Sequence, residues 1–380
     1  MSELNAIKIE GMDNFVDEVW AKINLKMEKM ATQMKGKSPH KSVSSGIYDD
    51  MRLDWWTSGF WPGMLWVMYS MTGVEAYKKE AWDWDQRIEE CFTRKNNFHH
   101  DVGFQFLLTA VIKYKLTGDV DGKRRGLQAA TFLAGRFNTV GNFIRAWNQD
   151  ERTGWSIIDT SMNLSLLFWA AKELKDPRYK HIAITHADTV LKHFIREDGS
   201  VKHIVSFDPE NGQYIECFRG QGYAPDSAWS RGQAWALYGM VNTYKYTGDK
   251  RYLYAAQRVA NFFITALGED AVPYWDSKLP DTKGQLRDTS AAACAASGML
   301  ELVRCLPCEE ARIYASWASK ILRSLTNNYT TLDQLEYEGI LREGTASQPD
   351  KDGANVSLIY GDYFYIECFS KLKGWSENIF

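Results

Sequence analysis

Two aspartates in this chain are placed to move protons. Asp159 follows Ser156-Ile157-Ile158 and precedes an amphipathic segment that starts at Thr160. Such a setting partly desolvates a carboxyl group. Desolvation raises its pKa, which suits a group that must donate a proton near neutral pH. Asp101 follows His99 and His100 and stands just before another helical segment. Either aspartate can equally serve as a helix N-cap. Two carboxylates facing one pocket are the usual equipment for cleaving a glycoside. His100 and His203 are the histidines that fall in the same polar and aromatic clusters. The run His99-His100-Asp101 lacks the i, i+4 spacing of a helical zinc pair. Cys305 and Cys308 form a C-x-x-C with no second pair beside it, so no metal site is expected. Arg231 lies between Trp229 and Trp235 in Asp226–Trp235. Burying it requires an anion: a structural salt bridge, or a substrate carboxylate clamped between tryptophan walls. Gln221 and Gln233 offer amides to sugar hydroxyls.

The elements that must hold these residues repeat. Four times an apolar-periodic segment stops at a turn and a second amphipathic segment follows. The turns are Met71-Thr72-Gly73, Leu116-Thr117-Gly118-Asp119, Leu174-Lys175-Asp176-Pro177 and Tyr246-Thr247-Gly248-Asp249. Glycine supplies the left-handed position that ends one helix, and Asp or Asp-Pro caps the next. A fifth hairpin spans 289–325 and turns at Leu306-Pro307, where proline cannot continue a helix. Segments near 15–33 and 361–373 are the first and last helices of the set, so six helical hairpins are expected. Stacked hairpins form either an open solenoid or a ring. The irregular intervals favour the ring, an all-α (α/α)6 barrel over residues 1–380 as one domain. Strand-like alternation is scarce, with one candidate at Val201–Phe207. The long connections between hairpins carry the clusters, and loops on a rigid scaffold are where sites are built.

Bulk properties set outer limits. The 380 residues are 45% hydrophobic and carry a net charge of −3, which argues against nucleic-acid or anionic-membrane partners. The 15 Trp, 19 Tyr and 18 Phe exceed what a core alone calls for. Aromatic planes also suit the C–H faces of pyranose rings. No signal peptide is legible at the N-terminus, and no apolar run reaches the roughly 20 residues that span a bilayer. A cytoplasmic protein with reduced thiols is expected, as a monomer or homodimer. There is no phosphate loop, Walker motif or G-x-S-x-G elbow.

From about Asp54 to Tyr365 the chain resembles the unsaturated glucuronyl hydrolases of glycoside hydrolase family 88. The motifs are WTSGFWPG, HHDVGF, IIDTSMNLSLL, VSFDPENG, SAWSRGQAWALYG, RDTSAAA and YGDYFYIE. The resemblance implies an (α/α)6 barrel with a pocket at one end, no metal and no organic cofactor. It implies an unsaturated oligosaccharide as substrate, with Asp159 as general acid and base and Asp101 as the second essential carboxylate. Trp56, His100, Trp147, His203, Gln221, Trp229, Arg231 and Trp235 are implied to line the pocket. One departure concerns specificity. Relatives that prefer sulfated fragments look to carry Ser-x-x-Ser-x-Lys before the Gly-Asp-Tyr motif, whereas 344–357 here reads GTASQPDKDGANVS.

Three other readings compete. The unsaturated rhamnogalacturonyl hydrolases of family 105 generally keep only the counterpart of Asp159. Sugar 2-epimerases on the same barrel rely on histidine pairs, and a non-catalytic sugar-binding barrel has no need of Asp101 and Asp159.

Overall fold

The structure is a computed structural model that describes residues 7, 9–43, 46–377 and 379–380. The chain enters through α1 (Asp13–Gln33) and then alternates between an inner and an outer position. Inner α2 (Phe60–Thr72) is followed by outer α3 (Glu75–Ala81) and α4 (Trp84–Glu89). Inner α5 (Val102–Phe106) runs through a π-helical turn, Leu107–Val111, into α6 (Ile112–Thr117), and outer α7 (Val120–Ala134) follows. The next pairs are α8 (Thr160–Leu174) with α9 (Pro177–Thr189), and α10 (Ser230–Thr247) with α11 (Lys250–Thr265). Last come α12 (Thr289–Cys305) with α13 (Cys308–Ser324), and inner α14 (Ile359–Leu372).

The inner helices pack in sequence around a ring. α5 packs on α8, α8 on α10, α10 on α12 and α12 on α14, while α14 meets α2, which returns to the π-turn after α5. The ring is therefore closed, and α1 packs against α14 to complete a sixth pair from the two ends of the chain. This is the expected (α/α)6 barrel. Inner helices are buried nearly all round; α8 is buried from Thr160 to Ala170 without a break. Outer helices bury one stripe, as α11 does with Tyr252, Leu253, Ala256, Val259, Ala260 and Phe263, the pattern of an amphipathic helix against a core.

The hairpin turns follow the predicted chemistry. Gly118 and Gly248 close their helices at φ 75° and 71°, a conformation that costs a side-chain residue steric strain. Lys175 adopts φ 53° at the third turn without glycine's help. Asp119, Asp176 and Asp249 each accept a hydrogen bond from a backbone N–H in the first turn of the next helix. The segment read as one helix from Val74 to Phe92 is broken between α3 and α4. Lys113 of α6 is buried and its Nζ donates to the Trp82 carbonyl at 2.9 Å, which draws that carbonyl out of the helical ladder.

Strands are more frequent than alternation suggested, but short. β1 (Phe137–Asn138) pairs with β2 (Phe143–Ile144). β3 (Trp155–Ile157), β4 (Ile204–Phe207) and β5 (Tyr214–Phe218) form an antiparallel sheet. β6 (Gly344–Ser347) and β7 (Asp352–Val356) form a hairpin. The expected strand at Val201–Phe207 is thus shortened to β4, with Val201 bridging Ile195 separately. Among the described residues no helix is long and apolar enough to cross a membrane.

Candidate active site

Every inner helix is entered from a long connection, and all but the last, α14, are left by a short turn to an outer helix, so all of them start at the same end of the ring. Their N-termini converge on a cavity of about 510 Å³, within the roughly 300–1,000 Å³ usual for small-molecule sites. Every site residue singled out from the sequence lines it except Trp235 and Gln233, the latter fully buried within α10.

Asp159 and Asp101 occupy the N-cap positions of α8 and α5, yet neither side chain caps its helix. The cap reading therefore fails for both, while Asp288 before α12 does cap, accepting from Ser290 and Ala291 N–H. The Asp159 carboxyl projects into the cavity instead, and its Oδ2 is buried with no hydrogen-bond partner among the described residues. Burial pushes its pKa up to about 7, against the opposing field of Arg231. Burial and the nearby Asp159 charge hold the Asp101 carboxyl well above the usual range. Two acids in one dry pocket cannot both ionise cheaply.

The sheet sets the geometry between distant parts of the chain. Ile157 pairs with Ile204, and Ile158 N–H donates to the His203 carbonyl at 3.1 Å. That register brings His203 Nε2 to 3.8 Å from Asp159 Oδ2. His203 Nδ1 lies 3.0 Å from the Gln221 backbone nitrogen and 3.2 Å from the Arg219 carbonyl oxygen, contacts that hold the ring with Nε2 facing Asp159. Gly220 makes this possible, because a Cβ there would lie 2.2 Å from His203 Nδ1.

Asn163, not singled out from the sequence, ties the two acids together. Its amide donates to Asp101 Oδ1 at 3.1 Å and to the Asp159 carbonyl at 3.2 Å, and its Oδ1 accepts from Phe104 N–H at 2.7 Å. A Cβ at residue 103 would collide with Asn163 Oδ1 at 2.3 Å, so Gly103 of the HHDVGF motif permits the contact. The available signal was spacing, since Asn163 lies one helical turn after Asp159.

The histidines are neutral. Burial lowers His203, His99 and His40 each to about 3, and His100 well below its usual value. His100 Nδ1 sits 3.1 Å from Thr160 Oγ1 and 3.2 Å from Asp101 Oδ1. His99, also missed, stacks on His100 at 4.9 Å. Spacing gave no helical metal pair, but folding places ligand atoms of His99, His100 and Asp101 within 4.8 Å of one another.

Arg231 takes the structural alternative left open by the sequence. Its Nη1 donates to Asp288 Oδ2 at 2.8 Å and to the Thr345 carbonyl at 2.7 Å, and Nη2 donates to the Ala346 carbonyl at 2.6 Å. The guanidinium also covers the Trp229 ring at 4.3 Å. A guanidinium has further N–H donors beyond these, and this one still borders the cavity. Gln221 Nε2 donates to the same Ala346 carbonyl at 2.7 Å, so β6 anchors both.

The aromatic walls are Trp56, Trp147 and Trp229. Trp56 packs on Tyr360 at 4.9 Å, Trp147 meets Trp155 edge-on at 6.1 Å, and Trp229 lies 4.1 Å from the His203 ring. Trp235 is a correction. It is one turn further along α10 than Arg231, fully buried, and packs on Phe104 at 5.1 Å and Phe364 at 5.5 Å. An i+4 residue shares its neighbour's face but lies about 6 Å deeper, beneath the cavity floor. It supports Phe104, which in turn backs Trp56 at 5.8 Å.

Residues 26–363 match the sequence profile of Glycosyl Hydrolase Family 88. The chain is 35% identical over 341 residues to an unsaturated glucuronyl hydrolase of Bacillus sp. (strain GL1), covering 88% of this chain and 90% of that one. It is 32% identical to an unsaturated chondroitin disaccharide hydrolase of Streptococcus pyogenes serotype M1, covering 95% and 92%. The crystal structure of the Bacillus sp. GL1 unsaturated glucuronyl hydrolase, described as responsible for degradation of glycosaminoglycan, superposes with a TM-score of 0.90. Identity there is 34%, over 93% of this chain and 96% of that one.

Proposed function

The chain belongs to glycoside hydrolase family 88, and we propose that it removes a 4,5-unsaturated glucuronic acid from the non-reducing end of lyase-generated glycosaminoglycan fragments, with Asp159 as general acid and base. The observation that carries this reading is the Asp159 carboxyl itself, buried in the cavity, unpartnered at Oδ2 and raised to about 7. Such a group holds a proton near neutrality and can take one back.

The substrate has a C4=C5 double bond conjugated to its carboxylate and bonded to the ring oxygen. An enol ether of this kind protonates at carbon. Asp159 gives its proton to C4, and positive charge develops at C5 and the ring oxygen. The carboxylate left behind draws a proton from water as the water oxygen bonds to C5. The hemiketal opens by breaking the bond between C5 and the ring oxygen. C1 is then a hemiacetal, and its collapse releases the next sugar as an alcohol. One water is consumed. The two proton transfers are sequential, so one carboxyl performs both.

Asp101, whose carboxyl burial and the Asp159 charge hold well above its usual range, holds ring hydroxyls and tunes its neighbour. Neutral His203 and His100 donate or accept hydrogen bonds without competing as acids. Trp56, Trp147 and Trp229 offer faces to the sugar. Gln221 and the outward N–H donors of Arg231 hold its carboxylate, and the converging helix N-termini favour the same negative charge. The paired aspartates and the Arg231–Trp229 wall fit the epimerase alternative poorly, since it relies on histidine pairs.

The test is ultraviolet absorbance of an unsaturated chondroitin or hyaluronan disaccharide, whose conjugated double bond is destroyed by hydration. Loss of absorbance with wild type and none with Asp159→Asn supports the proposal. Near-normal turnover by Asp159→Asn overturns the assignment of the acid. No turnover of these or of rhamnogalacturonan fragments by wild type overturns the hydrolase reading.

A further inference from the structure

The cavity holds cations that the proposed chemistry does not use. Arg152 ends a single 3₁₀ turn, Asp150–Arg152, in the connection between Trp147 and Asp159. Its guanidinium lies over the Trp147 ring at 5.4 Å and the Trp155 ring at 4.9 Å. Trp155 stacks face to face on Phe218 at 4.2 Å, and Arg219 follows directly at the end of β5. Both arginines line the cavity. Among the described residues neither side chain has a carboxylate within ion-pair distance, in contrast to Arg231 on Asp288.

Apart from Asp101 and Asp159, the acids lining this cavity sit on a different element. Asp350 and Asp352 line it from the β6–β7 hairpin. Asp350 is held by Ser347 Oγ at 2.6 Å, and Asp352 is paired with Lys41. The hairpin therefore presents carboxylates, and the cations come from the β3–β5 side. An arginine lying flat on tryptophan is held in place before a ligand arrives, and its planar fork fits oxyanions in bidentate fashion. Arg152 held in this way and Arg219 beside it, two guanidinium groups without a carboxylate partner among the described residues, favour an anionic ligand over a neutral one.

We propose that Arg152 and Arg219 select substrates whose second sugar, the one released, carries an oxyanion, either a sulfate ester or a carboxylate. This rests on the hydrolase reading above and adds the charge of the leaving sugar. Asp350 sets the complementary rule on the hairpin, that an anion facing it is repelled, while Asp352 is compensated by Lys41.

The experiment measures kcat/KM for wild type, Arg152→Ala, Arg219→Ala and Arg152→Lys. The substrates are unsaturated disaccharides with a neutral amino sugar, its sulfated counterparts, and a leaving sugar bearing a carboxylate. The readout is the ratio of anionic to neutral kcat/KM, because Arg152 also braces Trp147 and its loss lowers both. Wild type is expected to prefer at least one anionic substrate by about tenfold, the scale of a charge-assisted hydrogen bond. The preferred substrate identifies sulfate or carboxylate as the source. Each alanine variant brings the ratio toward one, Arg152→Lys retains part of it, and added salt erodes it. Wild-type turnover with no anionic preference, or a preference that both alanine variants keep, overturns this inference and leaves the hydrolase reading intact. Absence of turnover on every substrate overturns the hydrolase reading, and the inference falls with it.

Discussion

Asp159 is held in a state that an ordinary aspartate avoids. Its usual pKa is 3.8, and in the folded chain burial raises it to about 7. Between those values the unfolded chain has released a proton that the folded chain keeps. Stability therefore falls as pH rises through this window and stays lowest above about 7. Asparagine has no proton to lose. Asp159→Asn is expected to raise Tm by a few degrees at pH 8, with the gain shrinking toward pH 4, as read by thermal denaturation at both values. The same variant is expected to lose activity by about 10³-fold or more, since it removes the proton donor. The second prediction concerns rate. The acid must be protonated, so kcat/KM of the free enzyme is expected to fall as pH rises through about 7. A profile flat from pH 6 to 9 contradicts Asp159 as the acid. Asp159 was legible from residue type and apolar flanks, and Asp101 from residue type and the family resemblance. Asn163, which bonds Asp101 and the Asp159 backbone, was not, because an asparagine inside a helix gives no sign of where its amide points.

Helix starts in this chain do two different jobs with the same residue. Asp249 accepts from Arg251 N–H at 2.9 Å and sits at the end of the barrel away from the cavity. Asp249→Ala is expected to lower the denaturation midpoint by removing this cap, measured by denaturant titration, with kcat/KM unchanged. Asp159 and Asp101 start helices without capping them, and sequence offered cap or catalysis with no means of choosing. The choice lies in the connections, which bend each side chain toward the cavity and away from its own first turn. Gly220 shows how narrow that placement is. At φ 52° with His203 directly against it, Gly220→Ala must displace the imidazole. It is expected to lower kcat/KM at least tenfold with circular dichroism unchanged. The hairpin turns were legible because Gly-Asp and Asp-Pro carry local instructions. The small sheets were not, since strands as short as β3 are held by partners some 50 residues away.

At the scale of the whole molecule, closure of the ring depends on both ends of the chain. α1 covers α14, and its Lys26 Nζ donates to the carbonyls of Thr331, Gln334 and Tyr337 beyond α13. With no other element in that position, the 1–380 chain is expected to unfold in one calorimetric transition. Deleting residues 1–34 is expected to abolish soluble, active protein by exposing the outer face of α14. A truncated chain with native melting behaviour contradicts that. The sequence by itself determined the number of hairpins, their turns, the family resemblance and most of the pocket residues. Those depend on local propensity, periodicity and residue type, which are written along the chain. Only the tertiary structure decided that Arg231 pairs with Asp288, that Trp235 lies under the floor and that His203 faces Asp159. It also decided which arginines at the cavity remain unpaired. Depth, charge pairing and desolvation arise between segments far apart in sequence, so they exist only once the ring has closed.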